Sequence, residues 1–243
     1  MSVQTRRWGL ILSGHQFDIE DWVDAFPADF DPSARKHEES LLLFASDLDE
    51  ASDSQRAHDI GKVLLSRLNG LMKVLSTAEP LALKGVAEIG PDGNLKRHIH
   101  IAMATGRFRS RFHAVGVVLN SKGEVVSPEA KPTVAQSWTS IALQNDLISD
   151  ALTYVADYES WFSLYKAFEC IRKHMGGEHK LLASGWTSKS EKDRFTRTAD
   201  SLYRHHRGGK PPPELPMTVE EGAQYVGNLI RLCIESAGER KQA

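Results

Sequence analysis

Between Ile60 and Leu75 the apolar residues Ile60, Val63, Leu64, Leu68, Leu71, Met72 and Leu75 recur at steps of three and four. That period puts them along one side of an α-helix, which needs a broad apolar surface to cover it. The flanking segments supply such a surface as strands. Trp8 to Leu12 is a short apolar run closed by Ser13 and Gly14, and Ser40 to Ser46, SLLLFAS, reads as an interior strand. Leu81 to Ile89 and Leu95 to Ala104 flank Gly90-Pro91-Asp92-Gly93-Asn94, whose Asp-Gly pair suits a hairpin turn. Phe112 to Leu119 and Glu124 to Val126 form a similar pair around Ser121-Lys122-Gly123. Phe17 to Phe26 gives one or two helical turns with an apolar side, and Pro27 and Pro32 turn the next stretch into a loop. Residues 1–130 are thus expected to form an α+β domain, an antiparallel sheet with one main helix.

From residue 131 to 243 the periodicity becomes helical, and an all-helical C-terminal domain is expected. Val134, Trp138, Ile141, Ala142, Ile148, Ala151, Leu152 and Val155 trace a single helix. Trp161, Leu164, Tyr165, Phe168 and Ile171 trace another, which stops at Gly176-Gly177. Ser188 with Glu191, and Thr218 with Glu221, have the spacing of capping boxes and mark two further helix starts. Between those two helices runs the donor-poor loop GGKPPPELP, expected to be partly polyproline II.

Apolar residues at 41% and charged residues at 26% exclude a collagen-like, coiled-coil or disordered chain. The Trp8 to Leu12 run, although preceded by an arginine pair, is too short for a signal core or a membrane span, so no membrane partner is expected. Two isolated cysteines, Cys170 and Cys233, make neither a disulfide framework nor a zinc cage; both read as buried thiols of a cytoplasmic protein. The net charge of −2 conceals a strongly acidic stretch from His15 to Asp59. Binding of nucleic acid by the whole surface is thereby excluded, whereas one basic face can still bind it.

That basic face falls between Ser188 and Pro216, where Lys192, Arg194, Arg197, Arg204, Arg207 and Lys210 stand with Phe195, Tyr203, His205 and His206. Arg197, Ser201 and His205 follow at steps of four and line one track if the helix persists. Guanidinium groups of such a track can hold a phosphate while an imidazole moves a proton. On RNA the matching reaction is metal-free cleavage, in which a neutral His takes the 2′-hydroxyl proton and an Arg stabilises the developing charge. A structural reading stands beside it: the arginines pair with nearby carboxylates such as Asp193 and Asp200, and the histidines sit at a helix C-terminus that favours cations.

An Arg followed by a His late in a basic helix of a helical C-terminal domain resembles the HEPN group of bacterial domains. Many members are dimeric ribonucleases of toxin and phage-defence systems. The resemblance implies catalytic roles for Arg197 and His205, although Thr198 to Arg204 make a longer gap than that group's motif shows. WFSLYKAFECIRKHMGG, GWTSK and RFTRTADSLYRHHRG also resemble segments of an uncharacterised bacterial family. The expected function is RNA binding, extending to metal-independent cleavage, with Arg194, Arg204, His206, Arg207 and Lys210 as phosphate contacts and no cofactor. The alternative is a non-catalytic assembly protein that docks partner subunits, or copies of itself, through its acidic N-terminal face and its basic helix.

Two further groupings carry weaker chemistry. His98 and His100 share a strand face and His113 follows, a geometry that can reach one metal, but no Asp, Glu or Cys stands at supporting spacing, a wet sheet face is the better account of them, and no metal site is assigned. Arg107, Arg109 and Arg111 in GRFRSRF form an anion-binding edge for nucleic acid, or a dock for the acidic stretch of the same chain. No phosphate-binding loop and no G-x-S-x-G elbow is present.

Overall fold

The computed structural model describes residues 7–76, 78–92, 94–99, 131–201 and 212–242. The chain opens with β1 (Trp8–Ser13), α1 (Gln16–Ala25), β2 (Ser33–His37) and β3 (Ser40–Phe44). A 3₁₀ turn at Ser46–Glu50 leads into α2 (Ser54–Leu75), after which β4 (Ala82–Ile89) and β5 (Leu95–Ile99) form the expected hairpin. The later described elements are helices: α3 (Val134–Leu143), α4 (Asp146–Val155), α5 (Trp161–His174), α6 (Glu178–Ala183), α7 (Lys189–Ala199) and α8 (Val219–Gln242). The architecture is the α+β arrangement that the periodicities predict. The second predicted hairpin, Phe112 to Val126, lies outside the described residues, as do His100, His113, Arg107, Arg109 and Arg111.

Among the described residues the sheet has five strands in the order β2-β3-β1-β4-β5, antiparallel throughout. Strand alternation divides its side chains between two faces. Leu10, Leu43 and Val86 lie in register on one face and join the main core, which α2 covers with Leu64, Leu65, Leu68 and Leu71. Ile11, Leu42, Phe44 and Ala87 make a second, smaller cluster on the opposite face. Four strand spacings would put β2 and β5 roughly 19 Å apart in a flat sheet. Yet Arg97 on β5 reaches His37 and Glu38 at the end of β2, both at 3.0 Å, so the sheet coils strongly towards the second face.

Two features of the helical part differ from the periodic reading. The single helix expected over 134–155 is two helices, because Asn145 accepts from the Ile148 N–H and caps a new start at α4. The apolar stripe continues across the break, so periodicity alone could not reveal it. β2 and α6 were also unread, the first being a largely polar edge strand and the second a six-residue helix between glycines of positive φ. The predicted stop at Gly176-Gly177 is present, with φ of 78° and 113°. No helix among the described residues is long and apolar enough to cross a membrane.

Candidate functional site

The basic helix α7 begins where the sequence places it: the Ser188 hydroxyl accepts from the Glu191 N–H at 3.0 Å. The Glu191 carboxylate turns to the Thr187 hydroxyl at 3.4 Å, whereas at α8 the box is complete, with Thr218 N–H on Glu221 at 2.9 Å and Glu221 N–H on Thr218 at 3.2 Å. One face of α7 is core. Phe195 is fully buried among Trp161, Tyr165, Phe168 and Tyr225, so it is an anchor and offers no stacking platform to a base. Lys192 is 6% exposed and bonds Glu178 at 2.7 Å, with Asp193 also in ion-pair contact. Burial works against its charge, but the Asp193 and Glu178 carboxylates hold the ammonium above the ordinary lysine range.

The other face of α7 carries Arg194 and Arg197, and both turn towards the proline-rich segment. Arg194 Nε donates to the Leu215 carbonyl at 2.8 Å, and its Nη2 reaches the Pro216 carbonyl at 3.3 Å and Glu221 at 2.9 Å. Arg197 Nη2 donates to the Pro212 carbonyl at 3.2 Å, and the Met217 N–H is taken by the Thr198 hydroxyl at 3.1 Å. A guanidinium only donates, so what it holds in this segment is carbonyls, those of Pro212, Leu215 and Pro216. The fork of five donors thereby ties a strap, residues 212–216, to α7 while its side chains stay outside, Leu215 being 74% exposed. These contacts were missed in the sequence because they join carbonyls, which every residue has, to arginines read as ligand-facing.

At Asp200 and Ser201 the helix widens into a π-helical turn, and the Ser201 hydroxyl donates to the Arg197 carbonyl at 2.6 Å. Arg204, His205, His206, Arg207 and Lys210 lie outside the described residues.

Elsewhere, a surface cleft of about 680 Å³ opens between the end of α5 and the start of α6, lined by Glu169, Arg172, Lys173 and Glu178. Its two carboxylates balance its two cations, which gives an anion no net preference. His98 is 3.5 Å from Glu88 and packs against Trp8, and the Arg7 guanidinium, helped by His98, holds the Glu88 carboxyl below the usual range. No cluster of three metal-ligating side chains occurs among the described residues. Cys233 is buried as expected, but Cys170 is only half-buried; burial pushes its thiol up, with Asp150 and Glu169 adding to the shift, so it is not an activated nucleophile.

The acidic stretch of the N-terminal part is not uniformly outward: Asp18 is buried and accepts from the Glu79 N–H at 2.9 Å. Asp29, Asp31, Asp49, Glu50 and Asp53 are exposed, and the Asp47 carboxyl is raised by burial and by its neighbours Asp31 and Glu50. Comparison of the chain with protein-family models, curated proteins and solved structures finds no match.

Proposed function

We propose that the chain is a non-catalytic interaction protein that docks partner proteins through its acidic N-terminal face and the exterior of its α7–strap–α8 corner. The observation that carries this reading is the engagement of Arg194 and Arg197. Their guanidinium donors hold backbone carbonyls of residues 212–216 and the Glu221 carboxylate, in the geometry of a structural clamp. Phe195 and Lys192 on the same helix are buried, and of its cations Lys189 in the first turn is the exposed one. What the clamp leaves outward is a fixed strap with an exposed leucine, which suits a protein contact better than a phosphate.

A second reading keeps the RNA-directed activity implied by the resemblance to HEPN ribonucleases. It is favoured by the density of Arg204, His205, His206, Arg207 and Lys210 directly after α7. In that reading His205 moves the proton of the 2′-hydroxyl and Arg197 steadies the phosphate.

Incubation of the purified protein with labelled single-stranded RNA in chelator, beside a His205→Ala variant, separates the two. The interaction reading predicts that both proteins leave the RNA intact and that neither retains it on a filter at about 0.15 M salt. Cleavage by the wild type alone would overturn it in favour of the ribonuclease, and salt-sensitive retention without cleavage would overturn it in favour of an RNA binder.

A further inference from the structure

Among the described residues β2 and β5 are the opposite edges of the sheet, yet Arg97 Nη2 lies 3.0 Å from His37 Nε2 and 3.0 Å from Glu38 Oε2, in a contact open to solvent. Both Arg97 and His37 stand on the face turned away from α2. Arg97 is in register with Ala87, and His37 is one pleat along from Arg35, which is in register with Leu42. Ala87 and Leu42 belong to the second apolar cluster with Ile11 and Phe44, so the contact spans that cluster. Arg35 stays on the same face, its guanidinium 4.7 Å from the Phe44 ring centroid.

A guanidinium only donates hydrogen bonds and remains charged at every accessible pH. His37 Nε2 must therefore accept, which a neutral imidazole carrying its proton on Nδ1 does and an imidazolium cannot. Independent of this bond, Glu38 has φ of 54°, a left-handed backbone conformation that a non-glycine residue seldom adopts. It is the conformation that a two-residue connection between the paired His37 and Ser40 requires, and from that turn the Glu38 carboxylate meets Arg97.

We propose that His37, Arg97 and Glu38 form a proton-sensitive clasp that holds the two sheet edges together over the second apolar cluster and opens when His37 takes up a proton. His37 meets Arg97 from β5 and shares its face of β2 with Arg35, while Lys36, Glu38 and Glu39 neighbour it along the chain. Proton uptake from solvent at Nε2 converts the acceptor into a donor and sets a new cation beside Arg97. Glu38 is then shared between two cations, of which the imidazolium is its chain neighbour. Arg97 loses one anchor outright and competes for the other.

The test is binding of an anilinonaphthalene sulfonate dye to the full-length protein as pH falls from about 8 to about 5, the window in which histidines change charge. In the wild type, dye fluorescence is expected to rise reversibly by about twofold or more, as apolar surface becomes accessible. His37→Gln, whose amide oxygen accepts from Arg97 at every pH, is expected to show no rise. Arg97→Met is expected to bind dye strongly at both ends of the range. The proposal is overturned by a flat wild-type response, by an equal rise in His37→Gln, or by an Arg97→Met variant as dye-poor at high pH as the wild type.

Discussion

Tyr225 illustrates how a single side chain reports the quality of the helical core. Its hydroxyl is 3.0 Å from that of Thr187, and burial, aided by Glu191, pushes the phenol up to about 12 from the ordinary 10.0. The folded state therefore keeps a proton that the unfolded chain gives up first. Stability from this group is complete below pH 10.0 and falls as pH rises towards about 12. Tyr225→Phe should abolish that part of the alkaline loss, while costing about 1 kcal/mol at neutral pH for the lost hydrogen bond. Urea unfolding midpoints measured at several alkaline pH values check both. Nothing in the sequence marks Tyr225 out from the apolar stripe of its helix. Its partner Thr187 is far away in the chain and adjacent only once α8 packs behind α7. Phe195 shows the reverse misreading, since a core aromatic flanked by arginines is indistinguishable in sequence from a stacking platform.

Most helices of the second half, α6 excepted, were legible from the sequence, and the starts of α7 and α8 from their caps. Ser188 and Thr218 cap α7 and α8 where their spacing predicts. The division of residues 134–155 into α3 and α4 was not legible, because Asn145 is an ordinary polar residue until its carbonyl side chain is seen on the Ile148 N–H. Asn145→Ala should lower stability by about 1 kcal/mol without loss of fold, and a denaturation curve with an unchanged slope would be the expected record. An unchanged midpoint would show that packing of the two helices, and not the cap, sets the break. The loop GGKPPPELP is expected from its sequence to be poor in donors, and its described part, residues 212–216, is held through its acceptors: Arg194 and Arg197 donate to its carbonyls. Which way those arginines turn depended on where the next helix returned.

Across the whole molecule one apolar cluster runs from Trp8 in β1 to Ile234 in α8, so the sheet and the helices share their interior. α2 is the middle layer, with the sheet on one side and α4 close on the other. At Gly70 a Cβ would overlap the Leu152 carbonyl oxygen, and only glycine allows that approach. Gln136, 1% exposed, ties the parts together: the two hydrogens of its Nε2 are shared among the carbonyls of Pro27, Phe30 and Pro32, which lie at 2.9, 3.1 and 2.9 Å. Beside it the Thr133 hydroxyl holds the Ala25 carbonyl at 2.5 Å. Gln136→Ala strands several buried acceptors and should destabilise the protein by roughly 1–3 kcal/mol. A chemical-denaturation midpoint that falls in one cooperative step is expected, because the loop and α3 share one core. Loss of only a local transition would sink that account. By itself the sequence determined the α+β class, four of the five described strands, the main helix and the starts of α5, α7 and α8, since these follow from local periodicity, caps and turn residues. The tertiary structure alone decided the strand order, the coiling that brings Arg97 to His37, and the inward use of Arg194, Arg197 and Gln136. Those depend on which carbonyls and carboxylates lie opposite a given side chain, and residues remote in the chain become opposite only when the layers close.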